Sequence, residues 1–425
     1  MRYQRRDLSD VLAPPYDIIA PDDEQRLLDR DPHNVVRLEL GFTTAGAADD
    51  AGRYSRAAAA LQQWRQQGVL ADDDAPGLYP CTHTFMLDGE SRTRLGVICA
   101  VRLTPFEERI VLPHEGTLRA PREDRRRLML ACRAQISPVF ALHDDADGRI
   151  VEVIAEMMAE QPASEAALGD ERHRLWRRRQ DRLTDRYCEL IAQGPIFIAD
   201  GHHRYETALA VSRELQRAHP AAPAEAAFNH VLVLLCPAEQ PGMMILPTHR
   251  VLRLRTSEQR ARLDELLARH FETLAVECDA HPLAAARSLI ASLEHADGRA
   301  RFGIYTKSQG CRLLVAKPES LPNDPGPGGI NELGTVLIHR LLIDPILGAD
   351  GCGEYVDYAM DEAEAVRRVN EGQAECALLL RPTTVEQVKR VASAGLRMPG
   401  KSTYFYPKAV TGLVINDTSA ERTIP

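Results

Sequence analysis

Apolar positions in this chain fall into short blocks whose period switches between two and about four, as strands and helices alternate. Residues 78–87 and 92–101 are two apolar runs separated by Asp88-Gly89-Glu90-Ser91, and Asp-Gly between such runs predicts a hairpin. Residues 53–67 carry Tyr54, Ala57, Ala58, Leu61 and Trp64 on one face, which predicts a helix closed by Gly68. Further strands are expected at 34–40, at 108–112 ahead of Pro113, at 137–142 and at 228–236. The last is a nearly unbroken apolar run, as in a central strand. Polar residues 143–180 read as peripheral helices at 150–161 and 170–180, followed by an amphipathic helix at 183–193. Farther on, the pattern gives helices within 256–296, a hairpin of 301–306 with 311–317, and a proline- and glycine-rich loop at 322–329. Helices at 331–343, 361–369 and 385–394 and strands at 354–358 and 375–380 complete it.

The most informative stretch is 194–209. Gly194-Pro195 opens the apolar run 196–199, a buried strand, while Tyr205, Ala208 and Leu209 have helical spacing. Between them, Asp200-Gly201-His202-His203-Arg204 must turn sharply from strand to helix, which glycine permits. Amides at a helix start face outward with the positive end of the dipole, so with His202, His203 and Arg204 they form a cradle for an anion such as phosphate. A capped helix start with solvent-facing imidazoles fits the same string. Asp200 beside a phosphate implies a metal or a substrate proton between them.

Composition narrows the classes. The 425 residues allow two or three domains, and 44% hydrophobic with 27% charged residues is ordinary for a soluble globular protein. A net charge of −9 disfavours nucleic-acid or anionic-membrane partners. No apolar run approaches the ~20 residues of a membrane helix, so the expected location is cytoplasmic. Nine cysteines, none in a Cys-x-x-Cys pair, read as free thiols in a reducing compartment. No His-x-x-x-His or His-Glu-x-x-His spacing points to a metal, so no metal ligand is assigned.

Asp-Gly-His-His-Arg-Tyr-Glu-Thr-Ala-Leu at 200–209 resembles the phosphate-binding turn of the ParB/sulfiredoxin superfamily, which includes partition proteins, sulfiredoxins and kinases of free serine. The chain also resembles the family called domain of unknown function 1015. The matching segments are Ala13–Ile19, 32–38, 112–117, Leu246-Pro247-Thr248-His249-Arg250 and Met398-Pro399-Gly400-Lys401-Ser402-Thr403-Tyr404-Phe405-Tyr406-Pro407-Lys408. The fold these imply is α/β, a ParB/sulfiredoxin-like mixed-sheet core built around strands near 110, 139, 197 and 231, with flanking α+β segments. The expected regions are 1–105, 106–255 with the turn, and 256–425.

The resemblance also suggests roles. Gly201, His202, His203 and Arg204 would bind nucleotide phosphates, with His249 and Arg250 adding charge from a second strand end. Asp200, Glu115 or His114 would serve the chemistry, with a helix cap as the other reading of His114-Glu115 and a surface turn as that of His249-Arg250. Tyr16, Asp17, Asn34, Arg125, Lys401 and Ser402 would contact substrate, with turn hydrogen bonds as the other reading of Tyr16, Asp17 and Asn34. The implied activity is a kinase using ATP or ADP with Mg²⁺ on a small hydroxyl metabolite such as free serine. The same cradle would serve a phosphohydrolase acting on phosphoserine or a nucleotide, or a nucleotide-binding switch. Sulfiredoxin chemistry is disfavoured, because His202 stands where that turn needs cysteine.

Overall fold

A computed structural model describes residues 1–41, 50–117, 119–276, 282–293, 299–348 and 352–424. The chain divides into two compact units: Met1–Pro113 with Thr117–Met244 and Pro407–Pro425, and His114–Gly116 with Ile245–Tyr406. The expected division at 105/106 runs through a single sheet, because strands on either side of it hydrogen-bond to one another.

In the first unit that sheet has nine strands: β1 (Gly77–Leu87), β2 (Glu90–Arg102), β3 (Val111–Leu112), β4 (Val139–His143), β5 (Ser164–Leu168), β6 (Glu171–Leu175), β7 (Arg178–Arg179), β8 (Ile196–Asp200) and β9 (His230–Pro237). Their order is β3-β8-β4-β9-β2-β1-β6-β5, with β7 also on β1. The sheet is mixed: β8 runs parallel to β3 and antiparallel to β4, while β9 runs parallel to β4. The four strands expected near 110, 139, 197 and 231 therefore lie side by side, and the class is α/β.

Local chemistry explains the elements. The β1–β2 hairpin turns at Asp88 and Gly89, both at positive φ (52° and 80°), the geometry Asp-Gly adopts in tight hairpins. Helices α1 (Arg119–Cys132), α2 (Arg149–Met157), α3 (Arg182–Ile191) and α4 (His202–Ala218) supply apolar faces. Val231, Val233 and Leu235 alternate toward Tyr205 and Ala208 of α4. Val97, opposite Leu235, packs with Ile150, Val153 and Ile154 of α2 and Tyr187 of α3. Asp181 starts α3 with a reciprocal cap, accepting from the Leu183 and Thr184 amides.

Two expectations fail here. Residues 170–180 are not a helix: β6 and β7 occupy most of that span, and β5 and β6 form a hairpin on the edge of β1. Their Ala/Glu/Arg composition has helical propensity, but cross-strand pairing overrides it. Residues 34–40 are not a strand, because the Asn34 side chain accepts from the Val36 amide and starts a helical turn, Val36–Glu39.

The second unit has a six-stranded sheet: β10 (His249–Leu252), β11 (Phe271–Ala275), β12 (Arg301–Thr306), β13 (Gly310–Ala316), β14 (Val356–Ala359) and β15 (Cys376–Leu379), ordered β11-β13-β12-β15-β10-β14. The expected 301–317 hairpin is β12–β13. The helix expected over 331–343 is α-helical only at Gly334–Ile338 and passes into a π-helical turn at His339–Ile343.

Seven cysteines are free, as the sequence suggested. Cys278 and the side chain of Cys352 lie outside the described residues. Among the described residues no helix is long and apolar enough to cross a membrane.

Candidate functional site

The apolar strand β8 delivers Asp200 to the sheet edge through a register irregularity between Ile198 and Asp200. Gly201 follows at φ +90°, and α4 begins at His202. A Cβ on Gly201 would meet Arg204 Nε at 2.8 Å, so both backbone and crowding call for glycine. The glycine also leaves the N-cap without a side chain, so no cap residue covers the first-turn amides.

Arg204 folds back under this turn. Its Nη2 lies 2.5 Å from Asp200 Oδ2 and its Nη1 donates to the Pro138 carbonyl, and the residue is buried. Lys408 approaches from the other side, with Nζ 3.1 Å from Asp200 Oδ1 and a further ion pair to Asp17. Burial alone would push the Asp200 carboxyl up, but Lys408 and then Arg204 outweigh it and bring it down to about 2. Lys408 is itself shifted upward: desolvation opposes its charge, and Asp200 and Asp17 more than compensate. A carboxylate so firmly ionised is a poor proton acceptor near neutral pH, so Asp200 serves to hold two cations.

The surroundings account for several other expected residues. Tyr16 and Asp17 form a short 3-10 turn, and the Arg125 guanidinium lies 4.1 Å from the Tyr16 ring centroid. Arg125 also pairs with Glu39 at 3.0 Å and with Asp124, so it is a buried structural cation. His202 is buried and His203 half-buried at the start of α4. Asn34 is fully buried and spends its amide on the Asp10 and Leu12 carbonyls at 2.7 and 3.2 Å, the turn-bond alternative of the sequence reading.

The remaining expected residues lie in the second unit. Lys401 has φ +58°, and its backbone is held on both sides: the amide donates to Glu115 Oε1 at 3.1 Å, and the carbonyl accepts from Thr248 Oγ1 at 2.7 Å and Arg250 Nη2 at 3.2 Å. Ser402 donates to the Pro399 carbonyl, and His114 Nε2 lies 2.9 Å from Thr403 Oγ1. Glu115, Arg250, Lys401 and Ser402 therefore share one cluster. His249 and Arg250 are not a surface tip: both are fully buried in β10. Burial lowers His249 to about 4, and its Nδ1 accepts from the Leu380 amide, so at neutral pH it carries no charge for a phosphate.

The residues that sequence reasoning did not single out are Lys408, Glu39 and Pro138. Lys408 closes a segment that matched the family, but its meeting with Asp200, 208 residues away, leaves no local pattern.

Strand, positive-φ glycine and helix start, with buried charges packed around them, define a mixed α/β protein built on a strand–turn–helix cradle. The chain belongs to the family described as "Protein of unknown function (DUF1015)", whose sequence model matches residues 1–336. No curated protein matches it. Among solved structures it is similar to a conserved hypothetical protein from Pyrococcus furiosus (13% identity, 72% of this chain and 90% of that one, TM-score 0.34). It is also similar to a free serine kinase in complex with AMP (13%, 72% and 86%, TM-score 0.35). A third is SbnI with C-terminal truncation from Staphylococcus aureus (10%, 76% and 89%, TM-score 0.36). These superpositions are too loose to carry functional weight.

Proposed function

We propose that the chain is a nucleotide-dependent kinase that phosphorylates the hydroxyl of a small metabolite such as free serine, with ATP or ADP as donor. The observation that carries this reading is the Asp200–Arg204–Lys408 cluster beneath a helix start capped by glycine. First-turn amides, the helix dipole and a buried ammonium favour a phosphate there. Phosphoryl transfer asks mainly for positioning and charge neutralisation, and a rigid cluster on strand and helix ends supplies both. Arg204 contributes indirectly: pinned by Asp200 and Pro138, it fixes the turn and adds positive potential. Mg²⁺ brought in with the nucleotide would neutralise phosphate charge, whereas both Asp200 oxygens are already held, by Lys408 and Arg204.

A thermal-shift screen of ATP, ADP, CTP, serine and phosphoserine, with and without Mg²⁺, tests binding, since a ligand held by the native state raises the melting temperature. Product formation from serine and nucleotide tests the reaction. Phosphate release from phosphoserine without nucleotide would replace the kinase by the phosphohydrolase. Nucleotide binding without either product from any hydroxyl acceptor would leave the switch.

A further inference from the structure

We propose that His83, Glu171 and His173 form a binding site for a divalent transition-metal ion of the zinc type. The inference is independent of the nucleotide reading, and it starts from strand register. In the antiparallel β1–β6 pair His83 stands directly opposite His173. Glu171 is two residues before His173 on the same strand, so all three side chains emerge on one face. His83 Nε2 lies 2.8 Å from Glu171 Oε2, and Glu171 Oε2 lies 3.6 Å from His173 Nε2. The imidazole centroids are 4.0 Å apart, and one donor atom from each residue falls within 4.8 Å of the others. A tetrahedral ion about 2.0–2.2 Å from nitrogen and oxygen ligands holds its donors roughly 3.3 Å apart. The two measured edges straddle that spacing.

A second observation points to a ligand. His173 is 2% exposed, and its Nε2 has no hydrogen-bond partner. The Glu171 oxygen at 3.6 Å is too far to accept from it. A buried ring nitrogen left unsatisfied needs a reason, and an ion shared with Glu171 and His83 provides one. Glu171 keeps about a third of its side chain exposed, 34%, which gives an ion a way in. Three protein ligands leave a fourth position for water. Two imidazoles and one carboxylate suit a borderline ion.

Arg94 sets the affinity. Its Nη2 lies 3.2 Å from His83 Nδ1, and arginine can only donate, so in the metal-free chain the His83 proton sits on Nε2 and is given to Glu171. Binding an ion at Nε2 moves that proton to Nδ1 and breaks the Arg94 contact. Arg94 stays anchored by the Pro407 carbonyl at 2.6 Å and by its place 4.5 Å from the Phe140 ring centroid. The site therefore binds more weakly than one whose histidines are already turned for metal.

The test is a titration of chelator-stripped full-length protein with Co²⁺ and Zn²⁺. The expected result is one equivalent of Co²⁺ with the visible absorption of a four-coordinate ion, displaced by Zn²⁺. Affinity should fall at least about tenfold in Glu171→Gln and in His173→Gln, each checked for native melting. X-ray absorption of the zinc-loaded wild type should show nitrogen and oxygen neighbours including two imidazoles, a readout that does not depend on any variant folding. Absence of bound ion at about 100 µM metal, unchanged affinity in both folded variants, or sulfur ligation would overturn the site.

Discussion

Replacing Lys408 by Met removes the ammonium from between Asp17 and Asp200 while keeping much of the buried stem. The Lys408 side chain is 8% exposed, against 23% for Asp200 and 33% for Asp17, so the carboxylates left behind are only partly solvated. The fall of the Asp200 carboxyl from its ordinary 3.8 to about 2 corresponds to about 2.5 kcal/mol of net stabilisation of its charged form. Arg204 would remain, which lowers the loss, but the burial penalty on two carboxylates would go uncompensated, which raises it. The expected cost at pH 7 is about 2–3 kcal/mol, or about 4–6 °C in melting temperature for a unit of this size. Its pH dependence has a defined sign. A carboxylate with a depressed native value stabilises above the unfolded value near 3.8 and loses that contribution as pH falls through about 2. The gap between wild type and Lys408→Met should thus be full at pH 6–7 and narrow steadily from about pH 4 toward 2. Melting across this range, with a Lys408→Met/Asp200→Asn double-mutant cycle, is the assay. A gap below about 0.5 kcal/mol at pH 7, or additive effects in the cycle, would refute the coupling.

Gly201→Ala places a Cβ against Arg204 Nε at a backbone φ of +90°, so it should cost about 1–3 kcal/mol and disturb the turn even though only a methyl is added. Chemical denaturation gives the loss, and a nucleotide titration shows whether the cradle goes with it. Among the described cysteines Cys188 is exposed, although partial burial raises its thiol too; burial pushes the thiols of the enclosed Cys81 and Cys236 up, the latter to about 12. An aromatic disulfide reagent at pH 8 should therefore label Cys188 fast and reach Cys81 and Cys236 only on unfolding, as peptide mapping would show.

Local order was legible wherever a few neighbouring residues determine conformation. Asp88-Gly89 accepts positive φ at both positions, so the hairpin could be read without its partners. The run from Ile196 to Leu209 announces strand, turn and helix because the apolar block, the glycine and the helical spacing all lie within fourteen residues. The hairpin of β5 and β6 shows the limit. Arg172 and Arg174 point outward and His173 and Leu175 inward, a period of two, but a histidine at an inward position and helix-prone neighbours concealed it until β1 supplied the pairing. Asn34 and Arg125 carried the right chemistry for a site and were spent on the fold, on carbonyls and on Glu39. Only the tertiary structure brings Lys408 to Asp200, sets His83 opposite His173 and buries His249. Those meetings depend on which strands pair and where the chain returns, and the favourable free energy of such contacts appears only after long loops close.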